Sequence, residues 1–231
     1  QRDVDLVIGS LHWLTDAWRK AIDGLEGDER DAAGRVFFET HRAALSAGTG
    51  GEGYKHSAFA AARFLFILRA GFNGLYRENS TGDCTTAYGK PGPGVDLVQA
   101  DKLRAYSAAV QGIEFLCEDF AVTCGRCRPG WVASLDSPYE GTFTGYAGGD
   151  WDAKQISLPG MGGTSDRERL AAMLVYLDAI GVRWANHDAD TAATRRLYER
   201  WSFTPIQRAG NVNSNGDDRG AVQEGLWRNW T

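Results

Sequence analysis

Short apolar segments that alternate with helical stretches dominate the chain after about residue 110. The segments expected to be strands are IEFLC from residue 113, WVASLD from 131, RWANHD from 183, FTPIQR from 203 and GLWRNW from 225. Residues 167–180 have helical periodicity after the capping sequence Thr164-Ser165-Asp166, and a second helix is expected at residues 190–201. This alternation of strand and helix predicts a largely parallel, doubly wound α/β sheet.

The first hundred residues have a different, mostly helical pattern. Apolar residues recur at helical spacing from Leu6 to Ile22, and residues 58–68 are typical of a buried apolar helix. A glycine-rich stretch at residues 47–53 is expected to be the loop between these early helices. With 231 residues, the chain suits one sizeable α/β domain that carries an insertion better than two independent domains.

Three acidic residues are expected at the carboxyl ends of strands, namely Asp119, Asp136 and Asp188. Ligands of open α/β sheets bind at these strand ends, so the three carboxylates are candidate functional groups. The alternative interpretation is that each of them only caps the helix that follows.

The sequence Asp136-Ser137-Pro138-Tyr139 follows the apolar strand at residue 131. Pro138 stiffens the turn that presents the carboxylate, and Tyr139 offers a flat aromatic surface beside it. A carboxylate next to an aromatic ring suits an exocyclic amine on a planar base, such as N6 of adenine, because the carboxylate accepts the N–H while the ring stacks on the base. The alternative is an ordinary turn with a surface tyrosine.

Residues 69–90 predict a hairpin that is rich in glycine, aromatic and basic residues. Although the whole chain has a net charge of −5, residues 54–95 carry five lysines or arginines against two acidic residues. In this hairpin Phe72 could wedge between bases, Asn73 and Lys90 could bind phosphate, and the fork of Arg77 suits guanine. The alternative is a solvated hairpin without a ligand.

The cysteines and the apolar content limit other classes of function. Cys124 and Cys127 are separated by two residues, as in zinc and redox motifs, but no second pair follows at a fitting distance, so reduced structural thiols are the favoured interpretation and no metal is expected. No apolar run approaches the length of a membrane span, and no charged and apolar leader opens the sequence. We therefore expect a cytoplasmic protein without a membrane partner.

Four segments together resemble the Dam family of DNA adenine N6-methyltransferases, in the order and approximate spacing of that family. The resemblance extends over nearly the whole chain, from about Asp3 to Trp230. It is carried by FNGLYREN from residue 72, CEDF from 117, DSPYEGTFTGY from 136 and ANHD from 185.

The resemblance implies a Rossmann-like methyltransferase sheet with an inserted helical and β-hairpin domain that recognises DNA. Residues 1–12 and 110–231 would form the catalytic domain, and residues 13–109 the recognition domain with its hairpin at 71–90. The implied activity is methylation of adenine N6 in double-stranded DNA, with S-adenosylmethionine as the cofactor and a base flipped out of the duplex. Asp136, Ser137, Pro138 and Tyr139 match the catalytic motif Asp-Pro-Pro-Tyr.

The resemblance also assigns binding residues. Asp119 and Phe120 match the segment that holds the adenine ring of the cofactor, with the aspartate accepting from its amino group. In the hairpin, Phe72 matches the aromatic residue that inserts into the duplex. Asn73, Leu75 and Arg77 match the residues around it, of which the leucine and the arginine contact the recognised bases. Leu75 and Arg77 are typical of GATC readers, whereas Ala87 and Pro91 stand where those readers usually have other residues.

Two departures from the family keep other functions open. Ser137 replaces the first proline of the catalytic motif, and no glycine-rich FxGxG segment is present to hold the methionine part of the cofactor. The alternative functions are a catalytically silent or repurposed DNA-binding relative, or a subunit without a complete cofactor site. Because the missing strand would be central in such a sheet, we expect about 30 to 60 further residues before Gln1, or a partner chain that completes the sheet.

Overall fold

The computed structural model describes residues 2–47, 57–79, 81–137, 165–209 and 221–231. The chain divides into two compact units, Gln1–Glu114 and Phe115–Thr231. The first unit thus includes residues 1–12 and ends at Glu114. The division expected from the sequence placed residues 1–12 in the catalytic domain and ended the recognition domain at residue 109. The functional assignment of each part remains a prediction. No helix in the described ranges is long and apolar enough to cross a membrane.

The described part of the first unit contains four α-helices: α1 (Arg2–Ile22), α2 (Gly27–Ser46), α3 (Ala58–Ala70) and α4 (Ala100–Ala109). The two helices expected from periodicity are confirmed as α1 and α3. The α3 helix begins where the Ser57 side chain accepts a hydrogen bond from the backbone N–H of Ala60. The core between the helices is apolar and fully buried at Leu11, Leu14, Trp18, Phe38 and Phe66.

The segment from Gly71 to Lys90 folds back on itself, as expected for a hairpin. Isolated antiparallel bridges join Gly71 to Tyr88 and Glu78 to Cys84. A short 3₁₀ turn, Phe72–Gly74, interrupts the first arm, and the described part of the hairpin contains no regular strand. At its tip, the N–H of Asn79 donates to the carbonyl of Asp83 at 3.0 Å.

The second unit contains a four-stranded sheet in the order β1-β2-β4-β3. Its strands are β1 (Val132–Asp136), β2 (Arg183–Ala189), β3 (Ser202–Ala209) and β4 (Ala221–Arg228). Only β1 and β2 run parallel, and both pairs that involve β4 are antiparallel. The expectation of a largely parallel sheet is therefore wrong for the described strands, because β4 pairs directly with the strand before it and antiparallel neighbours need no helical crossover.

The prediction of a strand at IEFLC, residues 113–117, is wrong as well. Residues 113–117 form no helix or strand, and the side chains of Ile113, Phe115 and Leu116 are exposed. A strand forms only where neighbouring backbone groups accept its hydrogen bonds, and β1 pairs with β2 alone among the described residues. The apolar sequence does not reveal whether such a neighbour exists, and the expected completion of the sheet by another segment remains a prediction.

Among the residues described in this unit, three helices accompany the sheet: α5 (Phe120–Gly125), α6 (Asp166–Ala179) and α7 (Ala192–Leu197). The predicted cap of α6 is confirmed, since Ser165 and Glu168 form a reciprocal capping box. The α7 helix is shorter than expected. It ends at Leu197 because Tyr198 turns into the core, where its ring lies 5.2 Å from that of Trp227.

One face of the sheet packs on an apolar core. Along β2 the side chains of Trp184, Asn186 and Asp188 are buried, while the alternate residues are more exposed. The buried row meets α6 and its leucines, and Trp227 of β4 lies in the same cluster. In register with β2, the alternate row of β1 carries Asp136 on the opposite, exposed face of the described sheet.

Candidate active site and nucleic-acid interface

Asp136 is the last residue of β1 and its side chain is exposed. The parallel register places it beside His187 of β2. None of the described residues forms an ion pair with the Asp136 carboxylate. The expected strand-end position is therefore confirmed for this residue, and its oxygens are available to accept hydrogen bonds.

Ser137 ties the end of β1 to the neighbouring strand. Its hydroxyl donates a hydrogen bond of 3.2 Å to the backbone carbonyl of His187. The serine that departs from the expected catalytic motif thus attaches the chain after Asp136 to β2 by a side-chain contact. Pro138 and Tyr139 lie outside the described residues, so their expected roles remain predictions.

The Ser137 contact leads to a testable expectation. Replacing Ser137 with alanine removes one hydrogen bond to a backbone carbonyl and should lower the free energy of unfolding by about 0.5–1.5 kcal/mol. Urea denaturation followed by tryptophan fluorescence measures this loss. Ser134→Ala, in an exposed residue of the same strand, is the control. Equal stability of both variants would show that the Ser137 hydroxyl contributes nothing.

Asp119 begins α5 instead of ending a strand. Its carboxylate accepts a hydrogen bond of 2.9 Å from the N–H of Ala121, as a helix cap does. Arg169 of α6 donates from Nη2 to both Asp119 oxygens at 2.8 and 2.9 Å. The guanidinium carbon of Arg169 also lies 4.8 Å from the ring centroid of Phe120. Both residues expected to hold the cofactor are thus in contact with the same arginine.

Asp188 is held in a similar way inside the second unit. Arg167 Nη1 lies 3.5 Å from its Oδ2, the hydroxyl of Tyr198 donates to it at 3.4 Å, and the N–H of Ala189 donates at 2.8 Å. Burial and the nearby Asp188 charge raise the pKa of the Tyr198 hydroxyl, which therefore stays protonated and donates. Asp188 is therefore buried and hydrogen-bonded within β2. Of the three predicted carboxylates, only Asp136 is exposed and forms no ion pair with a described residue.

Sequence reasoning missed Arg167 and Arg169. A usable signal was present, because basic residues near the start of a helix oppose the helix dipole and need acidic partners to be favourable. Burial lowers the pKa of Arg169, but the hydrogen bonds and charges of Asp119 and Asp166 raise it above the ordinary value overall. The guanidinium is therefore always charged.

The Asp119 carboxylate fits the amino group of an adenine ring. Its side chain is 33% exposed, and Oδ2 has one hydrogen bond from the described residues whereas each carboxylate oxygen can accept two. An acceptor with spare capacity next to an aromatic ring is the chemistry that adenine requires.

The two arms of the hairpin have different surroundings. The second arm is attached to α2, since Arg42 Nη1 donates to the carbonyl of Thr86 at 2.8 Å and the N–H of Cys84 donates to Ser46 Oγ at 2.8 Å. In the first arm Phe72 is 60% exposed and Arg77 is exposed. The anchored arm thus supports the exposed one, which presents the residues expected to contact DNA.

The remaining hairpin residues have backbone or charge constraints. Asn73 has a φ of 55°, a conformation that asparagine tolerates better than most residues. Leu75 is half-buried. Lys90 Nζ lies 2.7 Å from Asp31 of α2, and this hydrogen bond lowers the pKa of the Asp31 carboxyl. The expected phosphate contact of Lys90 remains a prediction, and a phosphate there would compete with Asp31.

The thiols and the acidic residues offer no described metal site. All four cysteines are free, and burial raises the pKa of the Cys124 thiol to about 11, so that it remains protonated. Within the described ranges no three His, Cys, Asp or Glu side chains are grouped so that they could hold a metal ion.

Comparison with known proteins assigns the chain to a family. The model of the D12 class N6 adenine-specific DNA methyltransferases matches residues 12–208. A DNA adenine methylase of Haemophilus influenzae is 30% identical over 167 residues, which cover 70% of this chain and 54% of the relative. A DNA N-6-adenine-methyltransferase of Escherichia phage P1 is 30% identical over 173 residues, or 72% of this chain and 21% of the relative.

A third relative agrees with these two. The retron Ec67 DNA adenine methylase of Escherichia coli is 27% identical over 165 residues, covering 71% of this chain and 53% of the relative. The chain thus spans about half the length of the two bacterial relatives and about a fifth of the phage protein.

Proposed function

The chain belongs to the D12 class N6 adenine-specific DNA methyltransferases, and from this membership we propose that it methylates N6 of adenine in duplex DNA. The observation that carries the proposal is the exposed carboxylate of Asp136 at the end of β1, beside His187 and without an ion pair from any described residue. The other two candidate carboxylates are held by Arg167 and Arg169.

The proposed chemistry needs a hydrogen-bond acceptor and a stacking surface. Asp136 accepts an N–H of the target amine, which orients the nitrogen lone pair, and Tyr139 stacks on the base that has left the duplex. S-adenosylmethionine, when bound, supplies the methyl group. N6 would accept that methyl group in place of one proton, which would pass to water, while Asp136 keeps its hydrogen bond to the amine. Asp119 and Phe120 hold the adenine ring of the cofactor.

The hairpin is the proposed DNA-recognition element. Phe72 is exposed on a 3₁₀ turn and could enter the space left by a flipped base, as apolar wedges do. Asn73, Leu75 and Arg77 follow on the same arm, and Lys90 at its base would meet the backbone phosphates. A DNA substrate also implies the compartment that holds DNA, which in a bacterium is the cytoplasm.

Transfer of a labelled methyl group tests the proposal. The protein is incubated with methyl-labelled S-adenosylmethionine and a long, unmethylated duplex, with the same sequence as single strands for comparison. We expect label in the duplex DNA, and less in the single strands. Absence of label from DNA in the presence of an active reference methyltransferase control would contradict the proposal.

Arg77 is expected to read a base rather than a phosphate. Its side chain is exposed, while its backbone N–H and carbonyl are fixed by Thr86 and Thr85 of the anchored arm. Arg77→Ala should therefore reduce discrimination at one guanine by about 1–3 kcal/mol, the value of a bidentate base contact. Competition binding between duplexes that differ at single positions measures this discrimination.

Arg77→Lys is the matched variant, because lysine keeps the charge but loses the planar fork. Discrimination should remain low in Arg77→Lys, whereas affinity for unrelated duplexes should be close to that of the unaltered protein. Equal loss of affinity for all duplexes in Arg77→Ala, restored by lysine, would identify Arg77 as a phosphate contact instead.

A further inference from the structure

Arg169 is almost completely buried and yet carries a permanent charge. Only 1% of its side chain is exposed, and its guanidinium reaches three groups at once. Nη2 donates to both oxygens of Asp119, Nη1 donates to Asp166, and the planar group lies over the ring of Phe120. An arginine in such surroundings fixes the position of the groups that it contacts, because its fork cannot rotate without breaking several hydrogen bonds.

We propose that Arg169 is the positioning residue of the adenine site, fixing the orientation of the Asp119 carboxylate for the amino group of the cofactor. The role rests on the proposed function, since it concerns the same cofactor. It goes beyond that function by assigning a residue of α6, which does not itself meet the ligand, to the site at the start of α5.

The geometry of Asp119 supports this role. One of its oxygens accepts from Ala121 N–H and Arg169 Nη2, so both of its favourable acceptor positions are used. The other oxygen accepts only from Arg169 among the described residues and faces a partly exposed environment. The N–H of Ala121 thus determines which oxygen remains available, and the contacts of Arg169 to both oxygens keep the carboxylate from turning around its side-chain bond.

The charge of Arg169 also has a chemical consequence for specificity. The carboxylate that this guanidinium holds accepts hydrogen bonds and donates none. Such an acceptor pairs with the amino group of adenine and repels a carbonyl oxygen at the same position. We therefore expect the site to distinguish adenine from hypoxanthine, which carries a carbonyl there.

Arg195 offers a matched control inside the same unit. It forms a bidentate ion pair with Asp190 at 2.6 and 2.9 Å, and its guanidinium carbon lies 3.7 Å from the ring centroid of Phe203. The pair therefore repeats the Arg, Asp and Phe arrangement, but its arginine is half exposed and contacts neither Asp119 nor Phe120 in the structure. Loss of Arg195 should leave the adenine site unchanged.

Calorimetric binding of S-adenosylhomocysteine, the demethylated cofactor product, tests the role without requiring turnover. Arg169→Met should weaken binding by about tenfold or more, the effect of losing a charge-assisted hydrogen-bonded partner. Arg169→Lys should recover part of the loss because it restores the charge, and Arg195→Met should bind like the unaltered protein. The hypoxanthine analogue should bind far more weakly than S-adenosylhomocysteine, and this preference should shrink in Arg169→Met.

A double-mutant cycle separates positioning from general destabilisation. Asp119→Asn keeps the helix cap but cannot pair with Arg169 in the same way. If the arginine acts through Asp119, the double variant should bind S-adenosylhomocysteine almost as tightly as whichever single variant binds it less tightly. In turnover experiments KM for S-adenosylmethionine should rise while kcat at saturation and KM for DNA stay within about threefold, the pattern of lost cofactor binding.

The outcomes distinguish this inference from the proposed function. If the unaltered protein binds S-adenosylhomocysteine and Arg169→Met, folded by circular dichroism, binds it equally well, the positioning role is wrong and the proposed function stands. Independent, additive losses in the double-mutant cycle would also overturn the role. If the unaltered protein does not bind S-adenosylhomocysteine at all, the proposed function fails at its cofactor, and the role fails with it.

Discussion

Replacing Asp136 with alanine is expected to lower methyl transfer by at least about a hundredfold, the usual effect of removing one fixed hydrogen-bonding group from an active site. The residue is exposed at the end of β1 and pairs with no described cation. Its removal therefore leaves no described cation without an ion-pair partner, and the fold and DNA affinity should be unchanged. The loss should appear in kcat, because the contact to the target amine is needed for the chemical step.

Single-turnover methylation of duplex DNA measures the effect of Asp136→Ala directly. Asp136→Asn tests the charge, since the amide can still accept one hydrogen bond. Glu199→Ala, in an exposed carboxylate of the same unit, serves as the control for a general change of surface charge. A rate for Asp136→Ala within tenfold of the unaltered protein, about 1.4 kcal/mol of barrier, would rule out the catalytic assignment.

Replacing Asp188 with alanine should have the largest effect on stability. Asp188 is 1% exposed and Arg167 is 8% exposed, so the substitution removes one partner of a buried ion pair. Breaking a buried ion pair from one side costs about 3–5 kcal/mol. The free energy of unfolding of the second unit should fall by that amount. The Asp188→Ala variant should therefore unfold at a lower temperature than the unaltered protein.

Urea denaturation, monitored by the fluorescence of the buried tryptophans, measures the loss. Asp190→Ala, two residues further along, removes an ion pair whose arginine is half exposed and should cost only about 0.2–1 kcal/mol. Joint replacement of Arg167 with methionine and Asp188 with leucine should recover much of the stability. An Asp188→Ala loss no larger than that of Asp190→Ala would show that the Arg167 contact is energetically unimportant.

The strands and helices of the second unit were largely predictable because the apolar pattern and the capping residues of each segment favour the structure that the segment adopts. The segments at 131, 183, 203 and 225 each became a strand, and the capping box at Ser165 and Glu168 marked the start of α6. Strand direction was not predictable in this way. The antiparallel direction of β4 depends on which strands lie beside it in the folded sheet. An apolar segment such as IEFLC likewise does not reveal which strand, if any, it would pair with.

The candidate site was predictable as a set of residue types but not as a network. The position of Asp136 at a strand end followed from the apolar strand before it, and the exposure of Phe72 and Arg77 followed from the hairpin composition. The partners of Asp119 and Asp188 did not follow, because Arg167 and Arg169 meet them only once α6 has packed against α5 and β2.

Identification of the modified base is the most direct test of adenine N6 methylation through Asp136. Unmethylated duplex DNA is incubated with S-adenosylmethionine and either the unaltered protein or Asp136→Ala, then digested to nucleosides and examined by mass spectrometry. We predict N6-methyldeoxyadenosine in the first sample and at most a trace of it in the second. A methyl group on cytosine, or equal N6-methyldeoxyadenosine in both samples, would contradict the account.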